Sequence, residues 1–506
     1  MSLQGSADEV RAAPLLGRTF WLVPLPVLAF MVCQFVGWTL APALTHISVP
    51  LDVAEGYAWG REWVIATYKH PALPSWLLEG SRVLTGAIGW PAYVISQLFV
   101  MATFLIVYTL GNDLLGRRRA IAGTLLLAGV AFFAWPTVEF NHNIAKLPMA
   151  AALPLTLWRA VERRSLGWWL LFGITAGIGL YAKLSTLLLL AILALWMLWD
   201  AKARAQILTL GPWLAAATTI LISLPLLDWL VRHNFAPLAY AAARTHEASA
   251  GYPQFFADVA LNVAGLFALM AIAGLLLRKR APAPADGGDQ KPDARIVSFL
   301  AIITLGPLMV ATTGALLTGS GLKASWGNSM LSYAGMFAVA GLNLRVTDDA
   351  IRRLAIAAIA ITIVTPLAYG VAVVVDPRKS APTRVNWPQA EISRRMVEIW
   401  ERETKAPLRI VAGYFWVPDI ITLTAPTKPS VLTGRSLADS PWITPARLAR
   451  EGALLVWDGS PNNPPRILAS LVQGREIRQE RFTAERLPKG REIVINYAIL
   501  RPAPID

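Results

Sequence analysis

Two acids and two bases lie close together near the start of the chain. Asp52 and Glu55 fall in Leu51-Asp52-Val53-Ala54-Glu55-Gly56-Tyr57-Ala58-Trp59-Gly60, and Lys69-His70-Pro71 follows nine residues later. A spacing of three puts both carboxylates on one helix face. A carboxylate can take the proton of a hydroxyl nucleophile, and an ammonium can stabilise an anionic leaving group. The cluster comes directly after the first membrane-length apolar run. That position suits a reaction centre for an anionic, lipid-linked substrate.

Other polar residues stand in places of the same kind. Val138-Glu139-Phe140-Asn141-His142-Asn143 is a short loop whose Asn141 and Asn143 suit sugar hydroxyls, while His142 reads as structural rather than as a metal ligand. Lys183 sits in the turn Gly179-Leu180-Tyr181-Ala182-Lys183-Leu184-Ser185, and Lys323 in Ser320-Gly321-Leu322-Lys323-Ala324-Ser325-Trp326-Gly327. Either lysine alone can be explained by snorkelling at a helix end. With Lys69 they bring three cations from three parts of the chain, and rim charges normally have partners; a lipid phosphate would serve. Arg232, His233 and Arg244 are weaker candidates of the same type, and Trp59, Trp63, Tyr68 and Trp76 suit a membrane interface.

Those residues need elements to hold them. The chain has 506 residues, of which 55% are hydrophobic and 15% charged, with a mean hydropathy of +0.49. Soluble proteins carry about 25% charged residues, so a polytopic α-helical membrane protein is expected. The net charge of +14 sits largely in short loops between apolar runs, as the positive-inside rule asks, which argues against nucleic acid as a partner. The single cysteine, Cys33, allows no intrachain disulfide. The first apolar run, about 20–43, is too long for a signal peptide and reads as an uncleaved span.

Basic groups at Arg117-Arg118-Arg119, Arg163-Arg164, Lys202 with Arg204, Arg278-Lys279-Arg280 and Arg352-Arg353 mark cytoplasmic loops if the N-terminus is cytoplasmic. About eleven spans result, near 19–41, 89–111, 120–137, 145–161, 166–181, 184–200, 207–227, 256–277, 296–317, 328–344 and 354–375. Residues 1–375 then form a transmembrane unit whose first outer loop, about 41–89, carries the acids. The Pro/Gly-rich stretch 281–288 reads as a cytoplasmic linker. Residues 376–506 are soluble in composition and alternate helices (387–404, 444–451) with strands near 408–412, 430–432, 453–457, 475–483 and 491–500. They form a small extracytoplasmic α/β domain, read as a lid or acceptor-binding module.

The chain resembles the bacterial glycosyltransferase family 39 proteins, related to dolichyl-phosphate-mannose–protein mannosyltransferases and the lipid A aminoarabinose transferase. The resemblance rests on Asp52-x-x-Glu55-Gly56-Tyr57 with Trp59-Gly60, and on Tyr68-Lys69-His70-Pro71-Ala72-Leu73. It continues through Phe140-Asn141-His142-Asn143 with Pro148, Gly179 to Lys183 with Ser185, and Lys323-Ala324-Ser325-Trp326-Gly327. It implies a GT-C fold and a polyprenyl-phosphate sugar as donor, with Asp52 as the catalytic acid of the first outer loop, Glu55 its support, and Lys69 the donor-phosphate contact. Lys183 and Lys323 are expected to share that phosphate, and Tyr57, His70, Asn141, His142, Asn143 and Trp326 to line the substrate site. Two departures stand out. The acids are spaced Asp-x-x-Glu where relatives have them adjacent, and Asn141 and Asn143 stand where many relatives have Asp.

The expected activity is transfer of a sugar from a polyprenyl-phosphate carrier to an envelope acceptor (lipid A or core, glycan or protein), with inversion. It is placed on the outer face of a bacterial inner membrane, with the C-terminal domain periplasmic. No cofactor and no metal ligand set is expected, although the pattern leaves a divalent cation open. The competing reading is a transporter or flippase of lipid-linked sugars that breaks no bond. That reading asks for internal repeats, discontinuous spans and mid-membrane acids; the sequence displays no repeat, its spans are mostly free of acids, and its charges gather on one face.

Overall fold

The computed structural model describes residues 23–247, 252–276, 291–322, 331–376, 383–483 and 492–503. Lys323 and Trp326, and the linker at 281–288, lie outside the described residues. The chain opens with α1 (Leu25–Thr45), then two short helices, α2 (Leu51–Gly60) and α3 (Leu73–Thr85), before the long α4 (Trp90–Leu115). Next come α5 (Arg117–Leu125), α6 (His142–Arg163), α7 (Leu166–Ala182), α8 (Thr186–Trp199) and the single turn α9 (Ala201–Arg204). The apolar part ends with α10 (Leu210–Arg232), α11 (Ala236–Glu247), α12 (Tyr252–Ile272), α13 (Ala294–Thr318), α14 (Ala334–Gly341) and α15 (Asp348–Val375). Among the described residues seven helices are long and apolar enough to cross a membrane, and α7 and α8 are shorter apolar helices.

The helix α6 sets the scale of the bundle. At 1.5 Å per residue its 22 residues span about 33 Å, close to the roughly 30 Å of a hydrocarbon core. Ion pairs cluster at its C-terminal end: Arg159 donates to Asp113 at 2.6 Å, and Arg295 bridges Asp200 and Glu162. Its other end begins at His142. The chain is a multi-pass membrane protein in which α6 joins two polar ends across an apolar middle.

The third expected span, 120–137, is not one straight helix. It breaks after Gly129 and turns by 76° into 3-10 turns that end at Val138. The cause is a backbone crossing: a Cβ at Gly129 would stand 2.4 Å from the carbonyl carbon of Gly265 in α12. The break frees backbone groups that cannot be left unpaired in an apolar setting. Asn262 takes the N–H of Phe132 at 2.8 Å, and Gln34 donates to the carbonyl of Phe133 at 2.7 Å. The expected span 328–344 is likewise represented only by the eight residues of α14 among the described residues.

The helices α2 and α3 are clamped together by two glycines. A Cβ at Gly56 would meet Leu78 at 2.5 Å, and one at Gly60 would meet the Ser75 carbonyl at 2.3 Å. Only glycine lets the two helices approach so closely.

The C-terminal part is a five-stranded sheet with helices. Its strands are β1 (Ile410–Ala412), β2 (Ser430–Leu432), β3 (Ala453–Asp458), β4 (Arg478–Phe482) and β5 (Ile493–Leu500), in the order β2-β1-β3-β5-β4. The strands β2, β1 and β3 run parallel, while β5 pairs antiparallel with both β3 and β4. The amphipathic helix α16 (Gln389–Thr404) buries Ile392, Met396, Ile399 and Trp400, and α18 (Pro445–Glu451) precedes β3. Between β1 and β2 lies α17 (Trp416–Thr424), an apolar helix absent from the sequence reading.

Candidate active site

The helix α2 carries Asp52 in its first turn and Glu55 one turn on, on the same face. Both line a cavity of about 900 Å³, together with Lys69, His70, Asn141, His142, Asn143 and Lys183. That volume suits a compact ligand group with part of its chain. Three separate loops therefore converge on one site.

Glu55 and Lys69 form a buried ion pair, with Lys69 only 5% exposed. Four aromatic rings surround the ammonium: Phe415 at 3.9 Å, Trp59 at 5.4 Å, Tyr68 at 5.7 Å and Tyr240 at 5.9 Å. A desolvated cation against ring faces gains about 2 kcal/mol. Burial raises the pKa of Glu55 and adjacent Asp52 raises it further, while Lys69 pulls it down.

Asp52 is held from two sides. Its backbone N–H donates to Glu139 Oε1 at 2.7 Å, and its carboxylate accepts from Asn141 Nδ2 at 2.9 Å. Burial raises its pKa, opposed by Lys69, the Asn141 hydrogen bond and Lys183. Asn141 is also the N-cap of α6, where its Oδ1 accepts from the N–H groups of Asn143 and Ile144 at 2.9 and 3.4 Å. One amide thus caps a helix with its oxygen and steadies Asp52 with its nitrogen. An Asp could cap equally well, but it would set a second carboxylate against the first.

Lys183 lies between α7 and α8, where its backbone N–H caps α7 on Gly179 and its ammonium donates to Asn143 Oδ1 at 2.6 Å. Burial lowers its pKa to about 8. His70 stacks on His142, with ring centroids 4.1 Å apart. Burial, chiefly, and the neighbouring His142 and lysines push the His70 pKa well below its ordinary value. His142 Nε2 donates to the Pro71 carbonyl at 3.0 Å, which fixes its tautomer and leaves it a structural role. Among the described residues no three His, Cys, Asp or Glu side chains group as a metal site.

Tyr57 corrects the sequence reading. It was expected to line the substrate site, but two residues beyond Glu55 it points to the opposite side of α2. There it is fully buried, near Ser81 and Glu79 of α3. Arg232 pairs with Asp228 at 2.9 Å and His233 stacks on Trp229, so both are engaged within their own helix, whereas Arg244 does line the cavity.

Several site residues escaped the sequence reading. Glu139 lay in a loop read for its amides, yet it touches Asp52. Burial, chiefly, and the nearby Asp52 raise its pKa to about 8. Lys146 and Arg384 also line the cavity. A lysine one turn into an apolar helix was the available signal for Lys146. Phe415 comes from the C-terminal domain and carried no signal at all.

Comparison with known proteins fits this geometry. Residues 69–229 match the family described as dolichyl-phosphate-mannose-protein mannosyltransferase. The chain is 27% identical over 470 residues to the lipopolysaccharide core galacturonosyltransferase RgtB of Rhizobium johnstonii, covering 88% of this chain and 89% of that protein. Its fold resembles that of ArnT from Cupriavidus metallidurans in the apo state, with a TM-score of 0.59 and 14% identity over 93% of this chain and 97% of that one. The fold is of the GT-C type, and in family match and relative the chain is similar to membrane glycosyltransferases.

Proposed function

We propose that the chain transfers one sugar from a polyprenyl-phosphate carrier to an envelope acceptor on the outer face of a bacterial inner membrane. The supporting observation is the convergence of Asp52, the Glu55–Lys69 pair and Lys183 on one cavity. In this reading Asp52 takes the proton of the acceptor hydroxyl as that oxygen bonds to the sugar's anomeric carbon. The bond from that carbon to the carrier phosphate oxygen breaks with its electron pair. The phosphate leaves as an anion, so it needs cations rather than a general acid, and Lys69 and Lys183 supply them. Glu55 orients Lys69, and Asn141 with Glu139 orients Asp52. Attack in line by a single base-assisted nucleophile inverts the anomeric centre.

A uronic acid is the first donor sugar to test and a lipopolysaccharide core the first acceptor. The relative's name supports that choice, as do Arg244 and Arg384 on the cavity wall, which add cations beyond those a monophosphate needs. The experiment incubates purified protein with synthetic polyprenyl-phosphate sugars and core oligosaccharide, reading product by mass spectrometry. Product is expected from wild type and none from a folded Asp52→Asn variant. Near-normal transfer by that variant removes Asp52 as the base. Translocation of the lipid-linked sugar without product overturns the enzyme reading in favour of transport.

A further inference from the structure

The C-terminal domain docks on the helix that bears the acids. Its α17 packs directly against α2. Arg61, just past the end of α2, donates to the carbonyls of Thr422 and Leu423, the second at 3.0 Å. This dock brings one ring onto Lys69 and one buried carboxyl into its neighbourhood. Phe415 presents its ring 3.9 Å from the ammonium, nearer than any other ring of the cage. Its backbone sits at φ 53° and ψ −169°, a region that side-chain-bearing residues avoid, so the surrounding fold forces the ring into place. Asp419 supplies the carboxyl. It is 1% exposed, and neither carboxyl oxygen has a hydrogen-bond partner among the described residues. Glu55 and Lys69 are the charges that act on it. A buried polar group left without a partner calls for a reason.

We propose that the C-terminal domain completes the reaction site, with Phe415 as the positioning residue that holds the Lys69 ammonium against Glu55 and Asp419 buried in the neighbourhood of that pair. The proposal rests on the reading of Lys69 as the grip on the carrier phosphate. Glu55 pairs with the Lys69 ammonium, and both charges act on the nearby Asp419. Asp419, buried and unpartnered, is the carboxyl that keeps its proton, its pKa being raised well above the ordinary range by burial. The donor-free site then holds a Glu55 carboxylate, a Lys69 ammonium and a neutral Asp419. The Phe415 ring face offsets part of the cost of taking the ammonium out of water, and in that poorly screened setting the charge acts strongly on a phosphate. If Asp419 ionised, it would compete with that phosphate for Lys69.

The test uses the full-length protein in detergent and two independent readouts. The first is the acylation rate of Lys69 by an amine reagent, followed by peptide mass spectrometry. The second is donor KM and kcat. Phe415→Leu keeps apolar bulk but removes the ring face, and Phe415→Tyr restores it. With thermal stability preserved, Phe415→Leu is expected to speed Lys69 labelling and to raise donor KM, each on the order of tenfold with little change in kcat; Phe415→Tyr should reverse both. Unchanged labelling in a folded Phe415→Leu variant overturns the proposal. Faster labelling with unchanged KM keeps the cage but removes Lys69 as the phosphate grip, so the two readings fail separately. Asp419→Asn cannot ionise, so its donor KM should rise severalfold less with increasing pH than in wild type, and an identical rise removes Asp419 from the site.

Discussion

Asn141→Asp isolates the electrostatic environment of the proposed base. The substitution keeps the N-cap of α6, since Asp and Asn cap about equally well. It replaces an amide nitrogen 2.9 Å from Asp52 Oδ2 by a carboxylate oxygen. Two unit charges about 4 Å apart interact by about 4 kcal/mol at an effective dielectric of 20. Relaxation and the nearby lysines reduce that figure, and a charge-assisted hydrogen bond of about 2 kcal/mol is lost as well. A net penalty of about 3 kcal/mol on the ionised form raises the apparent pKa by about two units at 1.36 kcal/mol each. The new pair titrates jointly, so the shift belongs to both acids. A base must be ionised to act, so the acid limb of kcat/KM moves up by about two pH units, and activity recovers towards wild type at alkaline pH. The stability sign follows. The raised acids cost nothing while the unfolded chain is protonated too, so thermal stability matches wild type at low pH. It falls as pH climbs from about 4, where unfolded carboxyls ionise, up to the new pKa values, and then levels off. The assay is product formation from a synthetic polyprenyl-phosphate sugar between pH 5 and 10, with unfolding temperatures at each pH. A uniform loss of rate at every pH, or an unmoved limb, refutes the assignment of Asp52 as a base tuned by Asn141.

Glu139→Gln keeps an acceptor for the Asp52 N–H and removes a carboxyl held protonated up to about pH 8. Because wild type retains a proton that its unfolded chain releases near pH 4.5, wild type loses stability as pH climbs from about 4.5 to about 8. The variant's advantage in unfolding temperature should grow over that interval and then level off, and a constant offset would contradict the shift. Lys183→Met should lower kcat/KM for donor by on the order of tenfold and abolish the decline that wild type shows as Lys183 loses its proton near pH 8; a surviving decline assigns that limb elsewhere. Gly60→Ala forces a methyl to 2.3 Å from the Ser75 carbonyl and should cost about 1–3 kcal/mol. Gly80→Ala, in the open on α3 with nothing within 4 Å, should gain about 0.5–1 kcal/mol, and the paired unfolding temperatures check both.

What the sequence revealed and what it hid divide along the range of the interactions involved. Apolar run length is local, so seven of the roughly eleven expected spans were legible as the seven long apolar helices among the described residues, whereas 120–137 and 328–344 were not. The shared face of Asp52 and Glu55 was legible too, because it needs only the helical period. All five strands of the C-terminal sheet fell where their composition placed them. The break after Gly129 depends on a backbone 136 residues further on, at Gly265, so no reading of the run itself finds it. Tyr57 shows a subtler failure: it belongs to the same motif as the acids, but two residues along a helix is the wrong face. A motif names a neighbourhood, whereas the period decides which of its members can touch a substrate.

The departures from the family pattern are best understood as compensations within one charge balance. Asn141 stands where the resembled family pattern has Asp, and the structure supplies a carboxyl beside Asp52 from Glu139 instead. That carboxyl faces the Asp52 N–H, while the Asn141 amide faces its side chain, so Asp52 gains polar support without a second ionised acid on the side that must accept a proton. Spacing Glu55 one turn from Asp52 has a matching effect. It pairs Glu55 with Lys69, and Phe415 covers that pair from the far end of the chain. In this arrangement the acids differ in role because they differ in partners, and the partner of each is set by a loop that no local pattern connects to it.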